Sequence, residues 1–579
     1  MTPRGSDAVL PDRHTAASVS PERVVVHDCP TGLHLPAALR PPAPRTISPD
    51  LNNARERHMS PAFPTSSGLD RRLFLQAAGV GVGALLAGAG LAGQAEATSG
   101  APRLRDEPFR LGVASGEPAA DGCVLWTRLA PNPLAEDGHG GMPRASYGVQ
   151  WQVAEDERFR RVVRSGAALA LPELGHSVHP QVHGLRPGRQ YFYRFRAQGH
   201  TSPAGRFRTT PHSRSRASFT FATASCQAWY HGHFSAYRDM VAKDPDVVFF
   251  LGDYLYEYGI TAANMWRDAP LPGARHELET NTLADYRVRY SLFKTDPDLQ
   301  AAHAAAPWIL TPDDHEVQND YADETSYYGL SEEDFLLRRA VAYRAYYENC
   351  PLPPLALAHG PDARLHRRLR YGGLATLHVL DGRQYRDAKP ANTEEQNAPG
   401  RTMLGAGQER WLYRGLRTSD TRWNLLLQQV GLVKVTENRV DQWDGFPAAR
   451  QRLLDVLGER GVAPSVVFTG DCHRSIAGDL LADFADPGSA VVSSEFLGTS
   501  IASDGDGAPT DNYTKDWMQH PWMKFYDGRR GYVLGHADAD AITAEYRAVP
   551  YVRADNQAKG ISLDRFRVEH GRTGMQKVS

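Results

Sequence analysis

The chain has 579 residues, 41% of them hydrophobic, which is enough for two to four domains with real cores. A formal net charge of −2 and the lack of a dense Lys/Arg tract give no basis for a nucleic-acid-binding function. Five scattered cysteines (Cys29, Cys123, Cys226, Cys350, Cys472) without CxxC spacing exclude a zinc ribbon and a disulfide framework, leaving one pair free to bridge.

Residues 1–64 are rich in Pro, Arg, Ser and Ala without a sustained apolar period, and are expected to be disordered or not translated. Residues 65–97 have the layout of a twin-arginine signal peptide: Asp70-Arg71-Arg72-Leu73-Phe74-Leu75-Gln76, an apolar run to Gly93, then Ala95-Glu96-Ala97 at the cleavage position. The run is Gly-rich and only weakly hydrophobic, so cleavage is expected rather than a retained membrane span. Met59, just upstream of the Arg pair, is the expected start of translation. That route exports folded proteins and predicts a secreted or cell-wall-associated product. Gly79, Gly81 and Gly83 follow no strand, so they are not read as a dinucleotide fingerprint.

Short alternating strands separated by Gly, Pro and Asp turns fill residues 105–212, predicting an all-β sandwich of fibronectin-III type. It holds no cluster of catalytic residue types, which favours a packing or surface module. From 215 to 550 strands alternate with helical stretches (Phe234 to Ala242, Leu336 to Asn349, Gly407 to Leu416), predicting an α/β core. Residues 551–579 are polar and read as a loose tail.

Three buried-strand patterns in the core each end in metal-binding residue types. Val247-Val248-Phe249-Phe250-Leu251 runs into Gly252-Asp253-Tyr254-Leu255-Tyr256, Trp308-Ile309-Leu310 into Asp313-Asp314-His315-Glu316, and Val466-Val467-Phe468 into Gly470-Asp471-Cys472-His473. Ligands of open α/β sheets bind beyond the carboxyl ends of the strands. The candidate ligands are therefore Cys226, Asp253, Tyr256, Asp314, Asp471 and His473, a polynuclear metal site. Asp253, three residues from Tyr256, is placed to bridge two cations. A Tyr phenolate ligates well only beside a strongly acidic ion such as Fe³⁺, because its ordinary pKa is near 10. Asp314 and Asp471 are hard oxygen donors suited to Ca²⁺, Mg²⁺ or Mn²⁺.

Ser225-Cys226-Gln227, Gly252-Asp253-x-x-Tyr256, Asp313-Asp314-His315-Glu316-Val317, Asp381-Gly382-Arg383-Gln384-Tyr385, Gly470-Asp471-x-His473, Glu495-Phe496-Leu497-Gly498-Thr499-Ser500-Ile501 and Arg530-Gly531-Tyr532 together resemble the PhoD-type alkaline phosphatases. The resemblance covers roughly residues 105–550. It implies a metallophosphoesterase core of two sheets flanked by helices, similar to the purple acid phosphatases, and a cofactor pair of Fe³⁺ and Ca²⁺. Carried over motif by motif, it implies that Cys226, Tyr256 and His473 bind iron, that Asp253 bridges, and that Asp314 and Asp471 face calcium. Asp314 stands where purple acid phosphatases have Asn, and Cys226 replaces their first Asp. Gln429 stands near a His-ligand position of that wider group. The implied activity is two-metal hydrolysis of a phosphate ester, with His315 donating a proton to the leaving alcohol or stabilising the transition state. Arg383 and Arg386, with Arg238 as a further candidate, would offset phosphate charge.

Neighbouring residues are read more plainly. Glu316 is expected to accept hydrogen bonds behind the ligands, Cys472 to pack in the core, and His231-Gly232-His233 to form a surface loop. A monomer is expected. Two alternatives remain: a phospholipase-D-like phosphodiesterase, and a cell-surface binding protein with a vestigial metal site. Rates on a phosphomonoester, a diester and phosphatidylcholine separate the first, and metal removal tests the second.

Overall fold

The computed structural model describes residues 101–436 and 439–578. The expected segments 1–64 and 65–97, and Cys29, lie outside them. Strands Phe219–Ala224, Val247–Leu251 and Trp308–Thr311 run parallel in the middle of an 11-stranded sheet. Strands Ala375–Val379, Trp423–Leu427, Ser465–Thr469 and Val491–Leu497 run parallel in a 7-stranded one. These strands are apolar on both faces because both faces are covered. The two-residue side-chain period sorts them. Phe221, Phe249, Leu251, Leu425, Phe468 and Phe496 fill the layer between the sheets. Val248, Phe250 and Leu310 face helices outside the first sheet, and Leu426 and Val467 face those outside the second.

Helices Ser235–Ala242, Leu283–Lys294, Pro297–Ala305 and Glu332–Asn349 cover the first sheet. Gly405–Arg417 and Pro447–Leu457 cover the second. Their starts are encoded locally. The Asp296 carboxylate caps the N–H groups of Asp298 and Leu299, with Pro297 in the first turn. Ser331 caps Asp334 ahead of a first turn bearing Glu332, Glu333 and Asp334, which suits the positive end of the helix dipole.

The N-terminal module is all-β, as expected, but it is not free-standing. Its strands Val113–Ala119 and Gly122–Arg128 join the large sheet, where Gly116 pairs with Trp308. Its second sheet has five strands over a core of Val149, Val153, Tyr193, Phe195 and Phe207. Buried Arg128 reaches Ser291 and Asn349, both at 3.2 Å, and Trp126 donates to the Glu348 carbonyl at 3.0 Å. The expected loose tail at 551–579 is corrected. Ile561–Glu569 and Met575–Val578 extend the large sheet, and Phe566, Val568 and Met575 enter the inter-sheet core. Overall polarity hid an apolar/polar alternation, the pattern of a strand with one covered face.

The four described cysteines are free thiols, so no bridge forms among them. Among the described residues no helix is long and apolar enough to cross a membrane.

Candidate metal centre

Each proposed ligand lies in a loop just past a strand's carboxyl end, and all these loops meet at one place between the sheets. Cys226 follows Phe219–Ala224, and its N–H donates to the Gly252 carbonyl at 3.0 Å, docking the two loops together. The glycines of the two Gly-Asp turns are required by close approach. A Cβ on Gly252 would sit 2.5 Å from the Asp313 Cβ, and one on Gly470 would sit 2.4 Å from the Ser225 Oγ. Cys226, Asp253, Asp471 and His473 all have positive φ, between 56° and 67°. Non-glycine residues adopt that region at a cost, and such strain concentrates where side chains are aimed for function.

Three groups of ligand atoms adjoin. Those of Cys226, Asp253 and His473 lie within 4.8 Å of one another, as do those of Asp253, Asp314 and His315, and those of Asp314, Asp320 and Asp441. Asp253 is common to the first two groups and Asp314 to the last two. The Tyr256 hydroxyl sits 2.8 Å from Asp253 Oδ2 and 3.1 Å from His473 Nε2, and accepts from Ser503 at 2.8 Å. Asp471 lies beside the groups and within none of them; its carboxylate accepts from Gln442 and stands 3.8 Å from Arg439.

The electrostatics fit cations. Burial, then the neighbouring carboxylates Asp314 and Glu316, push the Asp253 carboxyl well up against the opposing pull of His315. Burial also raises Asp313, which Arg383 opposes, and Asp471, which Arg439 opposes. Burial, followed by Asp253, drives the Cys226 thiol and the Tyr256 phenol far above their ordinary values. Asp253 Oδ1 and Asp313 Oδ2 are buried without a hydrogen-bond partner. A nest of anionic donors that repel one another and keep an orphaned oxygen is what a bound cation would relieve.

The surrounding frame is built from residues that hold ligands. Glu316 is fully buried and accepts the backbone N–H groups of Asp253 (3.2 Å), Tyr254 (2.6 Å) and Asp313 (2.9 Å), the bracing role expected of it. Arg289 donates to the carbonyls of Tyr256 and Tyr258, each at 2.5 Å. Cys472 packs in the second core.

Four expectations are corrected. Arg383 is 1% exposed and committed to carboxylates, at 2.5 Å to Asp313, 2.9 Å to Asp441 and 3.5 Å to Asp314, so it positions the ligand loop and has little left for phosphate. Arg386 is buried behind it, at 3.0 Å from Asp441 and over the Phe446 ring. Arg238 is paired with Asp298 at 3.1 Å on a helix outside the sheet. Gln429 spends its amide on Thr311 and Pro312 (both 2.8 Å) and on the Gly382 N–H (3.2 Å), which excludes it as a ligand. Removing Arg383 would strip buried Asp313 of its ion-pair partner and weaken the pairing of Asp441 and Asp314. Arg383→Ala is expected to destabilise the fold by about 3–5 kcal/mol, seen as a lower Tm and lower metal content. A raised KM with an unchanged Tm would instead assign Arg383 to the substrate.

Several partners escaped sequence reasoning. Glu257 Oε2 lies 2.8 Å from His315 Nδ1, and Asp504 Oδ2 lies 2.8 Å from His473 Nδ1. His231, expected on a surface loop, instead accepts from the Asp504 N–H at 3.1 Å and stacks on Trp266. Glu257 directly follows Tyr256 and was within reach of the motif; Asp504 and Asp441 sit in loops with no pattern.

Fold and cluster are those of a metal-binding phosphatase. The family model for the PhoD-like phosphatase matches residues 221–546, and that for the PhoD-like phosphatase N-terminal domain matches residues 93–211. The chain belongs to the PhoD-like phosphatases. It is 42% identical over 535 residues to alkaline phosphatase D of Bacillus subtilis (strain 168), covering 88% of this chain and 89% of that protein. The solved structure of PhoD matches with a TM-score of 0.79 and 42% identity, over 83% of this chain and 94% of that one. A purple acid phosphatase from yellow lupin (Lupinus luteus) seeds is 14% identical, with a TM-score of 0.48 over 80% of this chain and 74% of that one.

Proposed function

We propose that this chain is an exported, metal-dependent phosphatase or phosphodiesterase that hydrolyses phosphate esters at a two-metal centre. The carrying observation is the shared carboxylate. Asp253 stands between a Cys226–Tyr256–His473 group and the Asp314 carboxylate, with His315 beside them. The first group, with a thiol, a phenol and an imidazole, suits Fe³⁺. The second, with Asp314 and the nearby Asp471, suits Ca²⁺. When bound, the cations would supply Lewis acidity toward phosphoryl oxygens and water. The twin-arginine pattern supports export to the cell surface or medium.

The chain's own residues define the rest. His315 is the proton donor to the leaving alcohol. Burial works against its charge, but Glu257, then Asp253 and Asp314, raise its pKa well above the ordinary value. Glu257 holds Nδ1, leaving Nε2 to work, and is itself fixed by the Asn319 N–H at 2.7 Å. Asp504 holds His473 through Nδ1 in the same way, presenting Nε2 to the cluster.

Elemental analysis of the native exported protein is expected to find iron and calcium, and the protein to show a visible phenolate-to-iron absorption band. Tyr256→Phe should abolish that band. A colourless, iron-free native protein would refute the iron assignment. Phosphate release that survives metal removal would refute the mechanism.

A further inference from the structure

We propose that Tyr258, Tyr327 and Tyr328 form a leaving-group subsite that selects esters whose alcohol carries a flat ring. The proposal rests on phosphoester hydrolysis at the adjoining centre. The three rings form an unbroken row leading away from His315, the residue assigned to protonate the departing oxygen. Tyr258 meets the His315 ring edge-on at 5.3 Å between centroids. Its hydroxyl lies 3.4 Å from that of Tyr328, and the Tyr328 ring lies 5.4 Å from that of Tyr327. The row therefore begins in contact with the ring assigned to protonate the leaving alcohol.

Exposure singles out the outer pair. Tyr254, Tyr256, Tyr286, Tyr290, Tyr321 and Tyr343 are at most 3% exposed, whereas Tyr327 is 50% and Tyr328 47% exposed. Two adjacent rings left in water at the edge of a candidate active site offer faces on which another ring can stack, with phenolic oxygens to meet its polar edge.

The rings are also held in register with the ligands. Their loop starts at the ligand cluster, where the Asp320 N–H donates to Asp314 Oδ2 at 2.6 Å and the Asp323 N–H donates to the Arg383 carbonyl at 2.9 Å. Ser326 bonds Gln318 at 2.6 Å and accepts from the Tyr328 N–H at 3.2 Å. Lys389 pairs with Asp320 and places its ammonium 4.8 Å above the Tyr327 ring. A platform tied to the ligand-bearing loop by these bonds is pre-organised, so stacking need not first order it.

The test uses the metal-loaded enzyme and compares phenyl phosphate with glycerol phosphate. The double variant Tyr327→Ala/Tyr328→Ala should lower the ratio of kcat/KM for the phenyl ester over the glycerol ester by about tenfold. An unchanged ratio overturns the proposal, even if both rates fall together. Phenylphosphonate and methylphosphonate, which are not turned over, supply a second reading through their inhibition or binding constants. The wild type should prefer the phenyl compound and the variant should lose that preference. A wild type that binds both equally also overturns the subsite. Failure of the wild type to bind either phosphonate or to cleave either ester strikes instead at the phosphatase reading. Tyr327→Leu/Tyr328→Leu keeps apolar bulk on the loop and should show the same loss of ratio should the Ala variant misfold.

Discussion

Asp253→Asn is expected to lower phosphate release by about three orders of magnitude or more, because several kcal/mol of metal-derived stabilisation depends on the shared carboxylate. The same substitution should stabilise the metal-free protein. Its Asp253 carboxyl is pushed up by burial and by neighbouring carboxylates, and Asp313, Asp471 and Glu316 (the last to about 7) are raised chiefly by burial. A carboxylate whose folded pKa lies above its unfolded value retains a proton that the unfolded chain has already released. Stability contributed by that proton is present below the unfolded value of roughly 4 and is lost as pH rises toward the folded value. The metal-free wild type should therefore melt lower at pH 8 than at pH 5, and Asp253→Asn should flatten that dependence. Its metal-free Tm at pH 8 should rise by on the order of 2 °C for each kcal/mol of repulsion relieved. Thermal melts at both pH values after chelation measure this, and a lower Tm for the variant would mean that Asp253 is a structural brace.

The strand-end clusters were legible because buried parallel strands are short, apolar and abruptly terminated. The loops entered after Leu251, Thr311 and Thr469 must then form the site. Helices Ser235–Ala242, Glu332–Asn349 and Gly405–Arg417 were legible as helical stretches, whereas Leu283–Lys294, Pro297–Ala305 and Pro447–Leu457 were not. The charge network around the ligands was not. Arg383 reads as a phosphate clamp in isolation, since nothing in its own motif reveals Asp441, 58 residues away, which accepts two of its N–H groups. Asp504 reaches His473 across 31 residues and Glu257 reaches His315 across 58. Such pairings are set by the packing of loops that carry no periodicity. The last two strands were missed for a different reason: their covered face is narrow, with Phe566 and Val568 set among Arg565, Arg567 and Glu569.

Glu316→Ala is expected to be the most destabilising single change near the site, and it separates bracing from ligation. The side chain is fully buried and accepts three main-chain N–H groups, from the two turns that carry Asp253 and Asp313. Each N–H left unsatisfied costs roughly 1–3 kcal/mol, so the total for three is on the order of 3–9 kcal/mol before any cavity is counted. Glu316→Gln retains one acceptor oxygen. It should fold while losing about 10- to 100-fold in metal affinity, the usual penalty for removing a group that orients ligands. Denaturant unfolding of the metal-free proteins decides the assignment by sign. Removing a ligand from a repulsive cluster stabilises the empty fold, as with Asp253→Asn, whereas removing a brace weakens it whether or not metal is present. A Glu316→Ala protein whose metal-free stability equals or exceeds that of the wild type would therefore move Glu316 from the frame into the ligand set.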